Sequence, residues 1–200
     1  MNIFDTQTLT DTLTVISKSY VMNELTDTPS TVEGFVTNSE LNDESKFHFH
    51  SLSQFKRGDY ISIDGSYYLV TGDVIAHRGF KYKSVVEYCN GFFELTEEQR
   101  IKVGTDAVGR PIYKTEIVVI GQSPIIATYR DMKLTEDSIT TASKNLIITM
   151  QDNLSNRTNF QVNATVSLFG RSYKVIDSEV AKVGLLQLRV TTEDVMLPVK

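Results

Sequence analysis

The sequence predicts a mainly β fold: two related small modules, barrel-like or sandwich-like, with long loops and a short N-terminal helix. Three observations point there. Short apolar runs with period-two alternation recur between turn residues, and no array of helical segments alternates with them as a βαβ fold would need. The third is a phrase written twice. ISIDGSYYLV (61–70) and VSLFGRSYKV (166–175) align without a gap and share Ser62/Ser167, Gly65/Gly170, Tyr68/Tyr173 and Val70/Val175. In each copy alternating apolar residues reach a glycine and the chain returns through Tyr and Val, which is a β-hairpin signature. Asp64-Gly65 suits a type I′ turn, whose two central residues both need positive φ. Duplication and chance convergence of short hairpins both explain one match of this size.

Taken in order, the leader comes first. Leu9, Leu13, Ile16 and Tyr20 recur at the spacing of one helical face. Its many threonines lose rotamer freedom in a helix, so a strand or an arm competes. Residues 26–45 read as loop, interrupted by a short strand at 32–37. In KFHFHSL, Phe47 and Phe49 fall on one side of a strand and His48 and His50 on the other. YISI and SYYLV flank the Asp64-Gly65 turn, with Gly58 and Asp59 leading into the first of them. In FKYK, Lys81 and Lys83 share one face and Phe80 and Tyr82 the other. LTEEQR (95–100) reads as a polar helix turn or loop. The segments KYKSVVEYC, TEIVVIG, PIIATYR, NLIITMQ, NFQVNATVSL, SYKVID and GLLQLRVTT complete the strand series. The expected organisation is an acidic arm or helix over 1–31, a first β-module over 32–104 and a second over 105–200.

Composition bounds the function. With 200 residues, 40% of them hydrophobic, the chain can bury a sizeable core. No apolar run reaches the roughly 18–20 residues that span a bilayer as a helix, so no membrane partner is expected. The start shows no basic region followed by an apolar stretch, and export by the usual route is not expected. Residues 1–46 hold eight acids and two bases, a charge of −6, so the chain total of −5 leaves the remainder at +1. An acidic leader on a near-neutral body argues against gripping nucleic acid on a broad basic face. Cys89 is the single cysteine, which excludes an intrachain disulfide and reads as a small buried hydrophobe rather than a catalytic thiol.

The sequence offers little catalytic chemistry. His48 and His50 could present two imidazoles to a metal, but no carboxylate or thiol completes a ligand pattern, and His77 could join them only through the tertiary fold. Serine-elbow, zinc-protease and phosphate-loop motifs are absent. Glu97-Glu98 is explained by solvation without any acid–base role. Arg57-Gly58-Asp59 matches an adhesion tripeptide, a match short enough to be common by chance. The aromatic and basic alternation of Phe80 to Lys83 could stack single-stranded nucleic acid on a small barrel, although strand alternation explains it more simply. No catalytic residue, metal or cofactor is expected.

The order of several motifs resembles the head-closure, or stopper, type of head–tail connector proteins at the neck of tailed bacteriophages. They are Gly58-Asp59, Gly65, Tyr68-Leu69-Val70, Tyr82-Lys83, Cys89-Asn90 and Phe92-Phe93, followed by NLIITMQDN, NRT, VSLFGRSYKVIDSE and GLLQLRVTTED. The resemblance covers about residues 33–193. It departs from the family where a tryptophan is expected, since this chain has none, and in the leader, which does not map. It implies a non-enzymatic virion protein, made in the bacterial cytoplasm, that forms a homo-oligomeric ring of six or twelve subunits. Such a ring joins a portal-side adaptor to tail-side proteins and helps close the channel, through which DNA passes without specific binding. The hairpin residues Gly58, Asp59, Asp64, Gly65, Tyr68, Gly170 and Tyr173 would build the ring wall. Two loops are candidates for gating or docking: Gly72 to Gly79, with Asp73, His77 and Arg78, and Lys133 to Ser143, with Glu136 and Asp137. A tail-completion or baseplate adaptor and, in a different class, a nucleic-acid-binding small barrel are the alternatives.

Overall fold

A computed structural model describes residues 6–26, 28–39, 45–77, 81–129 and 145–192. The chain is mainly β, with two short helices among the described residues. A helix α1 (Thr6–Ile16) leads into β1 (Lys18–Met22), β2 (Ser30–Asn38), β3 (Lys46–Ser51), β4 (Tyr60–Ile63), β5 (Ser66–Val70), β6 (Ile75–His77) and β7 (Lys81–Tyr88). Their pairing runs β3-β2-β1-β4-β5-β7, and β3 also pairs with β7, so six strands close into a barrel, with β6 continuing along the edge of β7 that β5 occupies. Alternation fills it. Phe49, Ile61, Val70 and Val86 point inward and are fully buried, each contributing on the order of 1.5–3 kcal/mol by leaving water.

The second sheet contains β8 (Gly91–Thr105), β9 (Pro111–Tyr129), β10 (Asn145–Gln151), β11 (Thr165–Leu168), β12 (Arg171–Lys182) and β13 (Leu185–Thr192), with a short α2 (Leu154–Asn159) before β11. Its order is β11-β12-β13-β10-β9-β8. Leu168 at the end of β11 lies beside Gly91 at the start of β8, bringing this sheet close to closure. Phe93, Ile125, Ile148, Val175, Leu188 and Val190 lie in its core.

The two barrels share one topology. Replacing β1, β2, β3, β4, β5 and β7 by β8 to β13 in chain order reproduces every pairing, the last as the β11–β8 approach. The repeated phrase occupies equivalent hairpins, β4–β5 and β11–β12. Both turns are left-handed at two successive residues, Asp64 (φ 49°) with Gly65 (φ 79°) and Phe169 (φ 51°) with Gly170 (φ 73°), as a type I′ turn requires. Tyr68 pairs with Ile61, and Tyr173 with Val166. The correspondence extends upstream of the phrase. Phe55 and Phe160 each lie six residues before the first phrase position, and each is buried in its barrel. Gly58 and Asn163, three residues further on, both have positive φ. The Gly58 N–H donates to the Val70 carbonyl at 2.9 Å, and the Asn163 N–H to the Val175 carbonyl at 2.8 Å. Sixteen consecutive positions thus follow one backbone path twice, at a constant offset, which argues for duplication.

Several expectations need correction. The leader is not a separate arm: Tyr20 and Met22 of β1 are buried in the first barrel, whose wall would be open without them. The helical spacing holds only to Ile16, after which Ser17 caps the helix by donating its N–H and hydroxyl to the Leu13 carbonyl. LTEEQR is neither helix nor loop. It continues β8, where Glu97 pairs with Val118 and Glu98 with Ile117, because a strand bonded along its length to β9 does not need apolar alternation to persist. For the same reason the sheets divide at Asn90-Gly91, not between residues 104 and 105, which lie inside the β8–β9 hairpin.

Candidate functional site

The barrels are joined by a small buried interface of Tyr60, Leu69, Cys89, Ile126 and Leu185. Tyr60 is its polar centre. Its hydroxyl donates to the Pro124 carbonyl at 2.6 Å and accepts from the Gln151 N–H at 3.0 Å, so one side chain of the first barrel bonds two strands of the second. Burial pushes its phenol well above the usual range. Asn90 adds a two-point clamp on Ala127, donating to its carbonyl and accepting its N–H, both at 2.8 Å. The Arg57-Gly58-Asp59 tripeptide belongs to this joint. Arg57 Nε donates to the Val183 carbonyl at 2.8 Å, and its guanidinium also pairs with Asp73. Gly58 meets Gly184 so closely that a Cβ on Gly58 would lie 2.0 Å from the Gly184 carbonyl oxygen. Asp59 accepts from the Asn23 amide and the Lys56 N–H. An adhesion tripeptide needs its charged side chains free to reach a receptor, and these are engaged.

Beside the joint lies a cleft of about 510 Å³. Amides dominate its chemistry: Asn23, Gln122, Gln151, Asn153 and Asn156 line it with Asp59 and Asp152. Four of the amides, Asn23, Gln151, Asn153 and Asn156, bond to one another. Asn23 Oδ1 accepts from the Tyr60 N–H and from Gln151 Nε2, while Gln151 Oε1 accepts from Asn153 Nδ2. Asp152 is paired with Arg157. The cleft has the form of a braced joint, in which Asn23, Gln151, Asn153 and Asn156 hold one another.

From the rim of this cleft the β8–β9 hairpin leaves the barrel. Only Ile126 to Tyr129 of β9 pair with β10, yet β8 and β9 stay paired with each other from Gly91 to Thr105. Residues 96–119 therefore form a two-stranded arm, about 30 Å long at roughly 3.4 Å per residue. Its tip is ordered by Asp106, whose carboxylate accepts the N–H groups of Val108 (2.9 Å) and Arg110 (2.7 Å). Ile101, Val103, Ile112, Tyr113 and Val119 are exposed along it, and Val108 at the tip is 78% exposed. Isolated two-stranded hairpins are marginal in water, and apolar side chains concentrated on such an arm mark a contact surface. Sequence reasoning missed this feature because the strand period is hidden by the charged residues of LTEEQR; the available signal was that strand residues continue on both sides of Gly109.

The other predicted residues are placed as follows. Phe47 and Phe49 face the first barrel's interior, with His48 and His50 outside, as the alternation predicts. The imidazoles are engaged: His50 stacks on Phe35 at 4.6 Å between ring centres, and its Nε2 lies 3.0 Å from Thr37 Oγ1. His77 is in β6 opposite Lys81. Among the described residues no three His, Cys, Asp or Glu side chains gather as metal ligands. Lys81 lies over the Phe35 ring, and Tyr82 packs toward the core, so the basic and aromatic alternation is spent on the two sides of one strand. Gly72 to His77 is not a projecting loop: the Gly72 N–H bonds the Val85 carbonyl, Asp73 pairs with Arg57, and β6 lies on β7. Arg78, Gly79, Lys133, Glu136 and Asp137 lie outside the described residues. Cys89 is buried, and burial raises its thiol pKa far above the ordinary value. No helix among the described residues is long and apolar enough to cross a membrane.

Comparison with known proteins gives a family match to one barrel. The model of the YomX C-terminal domain matches residues 91–191, bounds that coincide with the second barrel from the start of β8 to the end of β13. No curated protein matches. A solved structure of the K. pneumonia MrkH–c-di-GMP complex aligns with 94% of this chain and 83% of its own at 8% identity; its TM-score of 0.21 supports no argument.

Proposed function

The chain belongs to the YomX C-terminal domain family and is phage-related, and from that premise we propose that it is a structural protein of a tailed-phage particle, acting at the neck as a ring-forming connector. The observation that carries this reading is the arm: a braced hairpin with exposed apolar side chains, projecting from two barrels locked by Tyr60 and by the Gly58–Gly184 contact. Rigid bodies with a protruding element and a fixed body are what a head-to-tail ring requires, since each subunit must offer two different complementary faces. The work is docking rather than catalysis, with portal-side and tail-side proteins as partners, and DNA passes through the ring without being read.

Depletion of the protein during phage growth, followed by electron microscopy, tests the assignment. Filled heads that lose their DNA are the expected outcome. Stable filled heads beside defective tails would move the protein to a tail-completion or baseplate role. Tight, salt-sensitive binding of short oligonucleotides would support a nucleic-acid-binding barrel, because phosphate affinity falls steeply with salt. Stoichiometric metal retained after dialysis, and lost in His48→Ala and His50→Ala, would support an enzyme or metal protein.

A further inference from the structure

We infer that the outer edge of β9, from Pro111 on the arm to Pro124 at the cleft, takes up an extended strand of another protein of the particle, which makes the arm three-stranded and ends in the cleft beside Tyr60. This rests on the connector reading and names what the arm binds. The backbone carries the argument. β10 pairs with β9 only at Ile126 to Tyr129, and continuing that register would set Gln151 opposite Pro124. The Tyr60 hydroxyl occupies that step instead, donating to the Pro124 carbonyl and accepting from the Gln151 N–H. Beyond it the strands part. The Asp152 N–H turns to the Gly184 carbonyl, and the chain enters α2. Gly121 to Pro124 are left as one wall of the cleft and Gln151 to Asn156 as another. The cleft therefore lies where the next strand pairing of β9 would be.

Among the described residues, β8 is the only strand paired with residues 111–124 of β9, so the opposite edge runs unpaired from the arm into the cleft. An edge alternates outward N–H and C=O groups, and a second extended backbone satisfies that row along its length. A third strand also stabilises a two-stranded ribbon that is marginal alone. The side chains add a pattern. Tyr113, Thr115 and Val119 share one face of the arm, and Tyr113 and Val119 are about half exposed. A partner strand with apolar residues at alternate positions lays them along this face. At the cleft end, Asp59 and Asp152 line the wall without a lysine, arginine or histidine, which disfavours an acidic residue there.

Hydrogen exchange of the full chain, free in solution and in purified phage particles, tests it. In the free protein the segments 96–105 and 111–123 should each keep the amides bonded across the hairpin and exchange the outward ones rapidly. In the particle the outward amides of 111–123 should slow by at least about 100-fold, while those of 96–105 stay fast. Thr28 is exposed and lines the cleft. Thr28→Trp fills the space the strand needs and should cut incorporation into particles by at least about tenfold, whereas Thr28→Ser should incorporate normally; an unchanged unfolding midpoint confirms that each variant folds. Equal protection of both segments, no gain in either, or a β9 edge already slow in the free chain overturns the inference, as does normal incorporation of folded Thr28→Trp. Absence of the chain from particles overturns the connector reading and this inference with it. Leaking heads on depletion, together with a β9 edge that stays fast in the particle, leave the connector role standing and remove only the added strand.

Discussion

Tyr60→Phe isolates the polar link between the barrels. The ring stays, so the packing against Leu69 and Leu185 is retained, and only the hydroxyl is removed. That hydroxyl makes two bonds, to the Pro124 carbonyl at 2.6 Å and from the Gln151 N–H at 3.0 Å. Each loss leaves a backbone group without its partner at a buried joint, at about 1–3 kcal/mol for an unsatisfied buried group. Water entering from the adjacent cleft would recover part of this, so about 2–4 kcal/mol is the expected destabilisation. With a urea slope of about 2 kcal/mol/M, the midpoint should fall by about 1–2 M. Equilibrium unfolding followed by tyrosine fluorescence and circular dichroism measures it. Tyr68→Phe is the control, because its ring packs on Phe47 and Tyr88 while, among the described residues, no comparable pair of backbone bonds holds its hydroxyl; a change under about 0.5 kcal/mol is expected. Equal effects of the two variants, or a Tyr60→Phe effect below about 0.5 kcal/mol, would refute the account of the joint.

Other perturbations probe the same design. Gly58→Ala places a methyl 2.0 Å from the Gly184 carbonyl oxygen at φ +91°, whereas Gly65→Ala meets nothing within 4 Å; calorimetry should show a loss of about 3 kcal/mol or more for the first and about 1–2 kcal/mol for the second. Phe55→Ala and Phe160→Ala remove equivalent plugs, and denaturant titration should give about 3–5 kcal/mol for each. Cys89 should resist iodoacetamide at pH 8 until the protein is unfolded, since burial keeps the thiol protonated; rapid native-state alkylation would contradict this. The same raised pKa sets a pH dependence. The folded state holds a proton that the unfolded thiol releases, so this contribution is complete below about pH 9 and stability declines as pH rises above it; Cys89→Ala removes the decline between about pH 9 and 10, above which the buried Tyr60 phenol adds its own.

The local structure was legible wherever a side chain reports its own backbone. Asp64-Gly65 announced a turn because few residue pairs accept two positive φ values, and the His–Phe alternation of β3 announced which face is inward. Elements went astray where the deciding contact is distant. LTEEQR looks helical or irregular by composition, yet it is held as strand by residues 115–121 of β9. Tyr20 fits the helical spacing of the leader, but a place in the wall between β2 and β4 draws it into a strand.

The sequence by itself determined that the chain is β-rich, that it closes no intrachain disulfide and that one hairpin is written twice, because alternation, cysteine number and turn chemistry act over a few residues. Only the tertiary structure decided that the two halves follow one strand order, that Arg57-Gly58-Asp59 is a joint and that the β8–β9 arm stands free of its barrel. Those outcomes depend on pairings between residues as far apart as Arg57 and Val183, and no local propensity encodes which distant strand or carbonyl a group will meet.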